Sequence, residues 1–447
     1  MTGRNFLFLQ GNSSPFFLEL GEGLKRRGHG VSRINICGGD ERFWRGLEAI
    51  RYRGRPEDFG TFVADIVAVT AISDVILHND CRPAHRSAIA AVRDAGCRIW
   101  VFEEGYLRPH WLTLEEGGIN GFSSFPRDPK LLLTEQSTGS GEGVRYVPLR
   151  SAMRERVLYD FRWQLWNYVL RFRYPHYRTH RPFPIWAEYA TWARRLVALL
   201  WRKRRATAIS KRLIDSGAAY FVFPMQLDSD SQVQEHSPFA NMTEALERVI
   251  SSFASFAPAE ALLVVKAHPL DNGWINFRRR TERVARRFGV AGRVVYLDGG
   301  DWAVLARGAC GAVTLNSTAG LTALESEKPV ICLGKAVYDI PGLTYQGSLD
   351  TFWTELYKPD QRLALAFKHR LARTCMINGN YYTAEGIALA VANAISRFEE
   401  IAGADIAVAS DRWHEEASDV GEGEETAPII SRSRPVGRAA PLRSSVR

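Results

Sequence analysis

Short apolar runs, each ending in a polar or glycine-containing turn and followed by a helically spaced stretch, recur along most of this 447-residue chain. That alternation limits the possible folds more than any other feature. Asn5–Gln10, Val31–Ile36, Val75–His78 and Arg98–Phe102 read as strands, and Pro15–Arg27, Asp65–Thr70 and Arg86–Ala95 as helices between them. The rhythm predicts βαβ units, hence a parallel sheet with helices on both faces. Ligands of such sheets sit outside the carboxyl ends of the strands. Gly11, Asp80 and Glu103–Gly105 fall there.

A second series begins at Tyr220–Pro224 and continues with Ala261–Lys266, Arg293–Leu297, Gly311–Leu315 and Pro329–Leu333 as strands. Asn241–Phe256, Trp274–Phe288, Trp302–Ala306, a stretch from Ala319 and Ala384–Phe398 read as its helices. With 46% hydrophobic residues the chain has apolar material for two cores. The expected fold is therefore α/β, with one Rossmann-like domain over 1–150 and another over 211–400. Residues 405–447 lack periodicity and are rich in Glu, Gly, Ser, Pro and Arg, which predicts a disordered tail.

The connecting segment, 151–210, has a different character. Val157, Phe161, Leu165, Tyr168 and Phe172 share one helical spacing, and Trp186, Tyr189, Ala193, Leu196 and Leu200 another. Pro175, Pro182 and Pro184 separate the two. Between Ser151 and Arg205 there are thirteen Arg or Lys against three Asp or Glu, a surplus of ten beside a net charge of +9 for the whole chain. An anionic partner is implied. RNA-recognition, KH and zinc-finger patterns are absent, so nucleic acid is not expected. A basic stripe with interleaved aromatics suits a lipid surface instead; Trp186–Trp201 is expected to lie on it, or the stripes pack on the protein's own domains, or both. Phe6–Leu9 is too short for a signal-peptide core and no run reaches membrane-spanning length, so any membrane role is peripheral. Six scattered cysteines without a CxxC pair read as reduced thiols of a cytoplasmic protein, and no metal is implied.

Four strand-end motifs can carry chemistry. Glu103-Glu104 before Gly105 places two carboxylates where one can serve as acid or base, or simply be solvated. Lys266-Ala267-His268-Pro269 offers a phosphate donor, or a structural histidine. Asn316-Ser317-Thr318-Ala319-Gly320, at a strand-to-helix turn, is an anion site, an N-cap, or both. In Gln226-Leu227-Asp228-Ser229-Asp230-Ser231-Gln232, either aspartate can ligate a metal, act as nucleophile or cap a turn. Asp80-Cys81-Arg82-Pro83 adds a cation able to hold a carboxylate. Gly38-Gly39-Asp40 and Tyr52-Arg53-Gly54 read as loop turns able to contact an acceptor, and surface ion pairing is the plainer reading of these sets.

The combination of Glu-Glu-Gly, His-Pro and a Ser/Thr turn resembles bacterial sialyltransferases and polysialyltransferases, which use CMP-sugars on a GT-B fold. The wider set is closer to the capsule polysaccharide biosynthesis/export family. It comprises Phe8-Leu9-Gln10-Gly11, Gly39-Asp40-Glu41-Arg42-Phe43-Trp44, Tyr52-Arg53-Gly54-Arg55-Pro56, Asp80-Cys81-Arg82-Pro83, Phe102 to Pro109 and Tyr338-Asp339-Ile340-Pro341-Gly342-Leu343. This resemblance runs from about residue 5 to 398.

The resemblance implies a GT-B-like protein whose two Rossmann-like domains face a cleft, the first on the acceptor side and the second on the CMP-sugar side. It looks like the single-module retaining β-Kdo transferase that adds the first Kdo, from CMP-Kdo, to lyso-phosphatidylglycerol. The product would start the linker for capsule assembly and export at the inner face of the cytoplasmic membrane, beside other capsule assembly proteins. Asp230 matches the family's Pro-x-Gln-x-x-x-Asp loop as nucleophile, with Glu103 or Glu104 as acid/base. His268, Pro269, Lys266, Asn316, Ser317, Thr318 and Gly320 would hold the CMP-sugar. Gly11, Arg82, Arg108, Gln226 and Gln232 would contact substrate, with Arg82 or Arg108 on the Kdo carboxylate. No cofactor is implied. Two other functions remain on this reading: transfer of a sialyl-type CMP-sugar, and non-catalytic binding of a glycolipid as an export accessory protein.

Overall fold

A computed structural model describes residues 3–138, 146–179, 185–197, 199–355 and 357–419. The chain separates into two compact units, Met1–Ile395 and Ser396–Arg447. The first unit holds two sheets. One has seven strands: β1 (Asn5–Phe8), β2 (Gly30–Asn35), β3 (Ile50–Arg51), β4 (Asp74–His78), β5 (Arg98–Glu104), β6 (Trp111–Glu116) and β12 (Met376–Asn378), in the order β12-β6-β5-β4-β1-β2-β3. The other has five: β7 (Tyr220–Pro224), β8 (Leu262–Lys266), β9 (Val294–Leu297), β10 (Gly311–Thr314) and β11 (Val330–Cys332), in the order β11-β10-β7-β8-β9.

The two sheets repeat one plan. In each, the first five strands are parallel and run 3-2-1-4-5 in space, the order of a doubly wound sheet. Each first strand therefore sits at a switch point with a crevice beyond its carboxyl end. The central strands β4, β7, β8 and β10 are apolar and buried along nearly all their length, as parallel strands covered on both faces must be. The architecture is the expected one: α/β, GT-B-like, with two Rossmann-like halves and a helical segment between them.

Some elements depart from the sequence reading. β6 and β12 were not expected. β6 pairs antiparallel with β5, and β12 pairs antiparallel with β6, with Met376 opposite Thr113. The chain beyond residue 375 thus returns to the first sheet, where Tyr381 donates its hydroxyl to the Glu103 carbonyl at 3.0 Å. The helix Gln361–Thr374 also lay unread, although Asp360 caps it and Leu363, Ala366, Phe367 and Leu371 share its buried face. The closing helix spans Ala384–Asp419 and so passes through residues 405–419 of the expected tail. Alanines at 402, 404, 407 and 409 favour helix there. Residues 420–447 lie outside the described set.

Gly38-Gly39-Asp40 opens a short helix, Gly38–Arg42, rather than a loop turn. Its glycines let the helix Met153–Val169 press against it: a Cβ on Gly38 would stand 2.2 Å from the Trp166 carbonyl oxygen, and one on Gly39 2.4 Å from the Trp163 ring. Asn167 accepts the Gly39 amide at 2.7 Å, and Trp163 packs on Phe43. Asp40, fully buried, pairs with Arg33 at 2.7 Å.

Docking on this side leaves the expected stripe of Met153–Val169 facing out. Val157, Phe161, Leu165 and Tyr168 are exposed, as is Phe172 just beyond the helix. Helices Ile185–Val197 and Leu199–Asp215 follow; the side chains of Trp186, Leu196 and Leu200 lie outside the described set, and Trp201 is exposed. Part of the basic surplus is spent internally. Arg195 and Arg202 both reach Asp298, Arg173 reaches Glu41, and Arg156 reaches Glu104. Among the described residues, no helix is long and apolar enough to cross a membrane.

Candidate active site

Strand register brings the motifs together. β4 ends at His78, opposite Phe102 of β5, so Asn79, just past β4, neighbours Glu103, which is still paired to Thr113 of β6. In the second sheet Pro224 lies opposite Lys266, so the loops carrying Asp230 and His268 emerge together.

Asp230 caps the short helix Ser231–Gln234, its Oδ1 accepting the Gln232 amide at 3.0 Å. The capping reading is thus realised, and it uses one carboxylate oxygen. Burial pushes this carboxyl up to about 6, the Gln232 amide opposes that, and the Glu103 charge adds to it. Asp228 is occupied differently: its carboxylate accepts the Met242 amide at 2.9 Å, at the start of the helix Met242–Phe256.

Glu103 and Glu104 separate in role. Successive strand residues face opposite sides. Glu103 accepts from the Asn79 side-chain amide at 2.8 Å and its charge reaches Asp230. Glu104 turns to Arg156, whose guanidinium stands 3.3 Å away. Asn79 is a site residue that motif reading missed. Its side-chain nitrogen also lies 3.3 Å from the Ser231 hydroxyl, so one amide bridges the carboxylate of the first half to the Asp230 loop of the second. Its φ of 65° is left-handed, a conformation Asn tolerates better than most residues. The only sequence signal was its place after an apolar run.

Lys266, His268, Pro269, Ser317 and Thr318 line one cavity of about 500 Å3, together with Arg108, Trp111 and Trp302. Burial lowers the His268 ring to about 4, with Arg108 and Lys266 adding to the effect, so the ring is neutral near pH 7. The Leu270 amide donates to its Nδ1 at 3.1 Å. The remaining proton therefore sits on Nε2, which is free to donate to an anion. Burial also lowers the Lys266 ammonium from its ordinary value. Ser317 accepts the Ala319 amide at 3.2 Å. Gly320 leaves room for Tyr338: a Cβ there would stand 2.3 Å from the Tyr338 oxygen, and that hydroxyl donates to the Ser317 carbonyl.

The remaining expected contacts lie further back. Gln226 and Asn316 are buried against each other at 2.9 Å, and Asn316 also donates to the Gln232 carbonyl at 2.8 Å. This lock holds the Asp230 loop against the end of β10. Gly11 gives its carbonyl to Arg82 at 2.9 Å and packs against Phe17. Arg82 stands in the wall of the cavity that contains Asp230, and Arg108 in the cavity of His268.

Among the described residues one group has the spacing of metal ligands. Asp80, Cys81 and His236 are buried with their ligand atoms within 4.8 Å of one another. Hydrogen bonds link them: the Cys81 thiol donates to Asp80 at 3.3 Å and lies 3.3 Å from His236 Nε2, and Asp80 accepts the Ile119 amide at 3.0 Å. Burial pushes the thiol up and the His236 ring down to about 4.

The family model described as capsule polysaccharide biosynthesis protein matches residues 73–382. The capsule polysaccharide export protein KpsS of Escherichia coli is 33% identical over 389 residues, covering 86% of this chain and 98% of its own. The capsule polysaccharide modification protein LipB of Neisseria meningitidis is 32% identical over 388 residues, covering 86% and 92%. Among solved structures, a Thermosulfurimonas dismutans KpsC described as a beta Kdo 2,7 transferase aligns over 81% of this chain and 89% of its own, with 15% identity and a TM-score of 0.40. On its sequence match to the family model and to two near full-length relatives, the chain belongs to the capsule polysaccharide biosynthesis family.

Proposed function

We propose that this protein is a retaining glycosyltransferase that moves Kdo from CMP-Kdo to lyso-phosphatidylglycerol and so starts a capsule's lipid linker. The observation that carries the reading is the pairing of two carboxylates from different halves. Glu103 and Asp230 are joined through Asn79 and Ser231, and the charge of Arg108, which lines the cavity of His268, reaches Asp230. Family membership supports a role in capsule synthesis, and the motif resemblance supports the sugar.

The steps follow from the groups present. An oxygen of ionised Asp230 attacks the anomeric carbon of the donor, and the bond to the CMP phosphate breaks. His268 Nε2, Lys266 and the hydroxyls of Ser317 and Thr318 receive the charge that collects on that phosphate. Arg108, in the same cavity, faces the donor's carboxylate. Glu103 then takes the proton of the acceptor hydroxyl as its oxygen attacks the glycosyl–aspartate, and Asp230 leaves as carboxylate. Two displacements give net retention. Glu104, paired with Arg156, is the less suited of the two glutamates. No step runs through a metal.

The reading also places the protein at the inner face of the cytoplasmic membrane, where the exposed stripe of Met153–Val169 would meet the lipid surface. To test the function, the purified chain is incubated with lyso-phosphatidylglycerol and CMP-Kdo generated in place, and the lipid is read by mass spectrometry. Addition of a single Kdo is expected. Transfer from CMP-sialic acid alone would move the protein to the sialyl-type reading. Binding of lipid with no transfer from either donor would make it a non-catalytic export accessory.

A further inference from the structure

A second cavity, of about 290 Å3, opens on the first half beside the cavity of Asp230; Arg82 and Pro83 line both. Gln10 and Arg82 lie at its inner end, Tyr52, Tyr174 and Tyr177 along its sides, and the exposed Arg53 and Arg178 at its mouth. Arg82 has only neutral hydrogen-bond partners: Gln10 at 3.1 Å, the Gly11 carbonyl at 2.9 Å and His78 Nδ1 at 3.2 Å. Burial holds His78 far below its ordinary value, so that ring is uncharged. Among the described residues, none of the three arginines is in an ion pair, and Glu57 is the single acid in the lining. The charges of Glu103 and Asp40 reach this guanidinium, but no carboxylate hydrogen-bonds it, and an anion of suitable shape in the cavity gives it a direct charged partner. Three guanidiniums converging on one aromatic-walled cavity suit a phosphate ester.

The surroundings narrow the ligand further. The exposed stripe of Met153–Val169 ends at Phe172, two positions before Tyr174 of the cavity wall. Val157, Leu158, Phe161, Leu165, Tyr168 and Phe172 are between 46% and 67% exposed. An anionic cavity ligand with an apolar chain would find that chain's surface at its exit. On the inner side Arg82 touches His78, whose Nε2 lies 3.8 Å from Glu103.

We propose that this cavity is the acceptor subsite: Arg53, Arg82 and Arg178 hold the phosphate of a single-chain anionic lipid, its chain lies along the exposed stripe, and its free hydroxyl is directed toward Glu103. The assignment rests on the transferase reading above.

The test is equilibrium titration of the full chain with three probes: octanoyl lyso-phosphatidylglycerol below its micelle concentration, sn-glycerol 3-phosphate and inorganic phosphate. The lipid is expected to bind best and glycerol phosphate more weakly. Replacing both mouth arginines (R53A with R178A) is expected to weaken the lipid about a hundredfold, at about tenfold per charge-assisted contact. Both side chains are exposed, so the melting temperature should hold and a folding defect is separable. Unchanged lipid affinity in the double variant overturns the proposal. Equal affinity for inorganic phosphate and lipid also overturns it, leaving a free-phosphate site. CMP titrated into the unsubstituted chain separates the two readings. CMP bound with lipid ignored sinks the subsite alone, whereas neither bound sinks the transferase reading with it.

Discussion

The two halves of this protein share a strand order and differ in what they do with their strand ends. In the second half, His268, Lys266, Ser317 and Thr318 line an open cavity, and the one hydrogen bond fixed on His268 leaves its other nitrogen free to donate. In the first half the corresponding groups are turned on each other: Arg82 on Gln10, Gly11 and His78, and Glu103 on Asn79. The same scaffold therefore presents an open, donor-lined cavity on one side and a tethered carboxylate on the other. The first sheet is also wider. β6 and β12 extend it and bring Tyr381 behind the Glu103 backbone, fixing the strand that carries this carboxylate. Parallel topology fixes where a site lies, while the hydrogen bonds at the strand ends decide what each side contributes.

The sharpest way to break the comparison is to remove each carboxylate separately. Asp230→Asn is expected to lower kcat by about three orders of magnitude, the scale on which loss of a covalent nucleophile acts. Glu103→Gln is expected to slow the second displacement instead. It should therefore accumulate a glycosyl–aspartate seen as added Kdo mass on the intact chain. If Glu103→Gln gives no adduct and Glu104→Gln does, the roles of the two glutamates are reversed. Asp230→Asn carries a second signature. Its folded value is raised above the ordinary 3.8 to about 6, so ionisation costs stability increasingly as pH rises between them, and fully above. Asn caps a helix as well as Asp does. The variant should melt higher than the parent at pH 7.5, and the gap should close below pH 4.

The pH profile of turnover distinguishes the halves next. Asp230 must be ionised to attack, so kcat should fall about tenfold for each pH unit below about 6. His268 stays neutral down to about 4 and should leave no mark on that limb. His268→Ala is expected to cost about a hundredfold in kcat through the lost donor while the limb stays in place. A limb that moves with His268→Ala would mean that the ring, and not Asp230, is the group titrating.

Asn79 links the two halves, and its removal should have a smaller effect. Asn79→Gly keeps the left-handed backbone and deletes the bridge, whereas Asn79→Ala also strains a φ of 65°. The glycine variant is expected to lose about tenfold in kcat with KM for the donor nearly unchanged. An equal loss in KM would make Asn79 a binding group and not a positioning one.

Much of this was legible because parallel strands announce themselves as apolar runs and leave their functional residues at one end. The candidates Glu103, Asp230, His268 and Ser317 all stand out that way. Asn79 does not, since its place in the site depends on two residues 24 and 152 positions away. β12 is three residues long and exists because β6 offers it an edge; nothing in Met376-Ile377-Asn378 alone distinguishes it. Gln226 reads as a substrate contact and Asn316 as a CMP-sugar contact from their loops, and only the fold shows that their amides also meet each other. Helical spacing told which residues of Met153–Val169 share a face and not which way the face points. That was set by Gly38 and Gly39, which admit the opposite side of the helix.

The outward face gives the smallest and most specific expectation. Ordinary amphipathic helices bury their apolar stripe, so serine in the stripe destabilises them by several kcal/mol when the site is core. Here Phe161 and Leu165 are about half exposed. Replacing both with serine should change stability by less than about 0.5 kcal/mol, as surface substitutions do. The same pair should lose binding to vesicles containing phosphatidylglycerol, scored by flotation, because the apolar area that inserts is gone. A large fall in melting temperature would show that the stripe packs against the protein itself. Unchanged flotation with unchanged stability would move the membrane contact from this helix to the exposed Trp201.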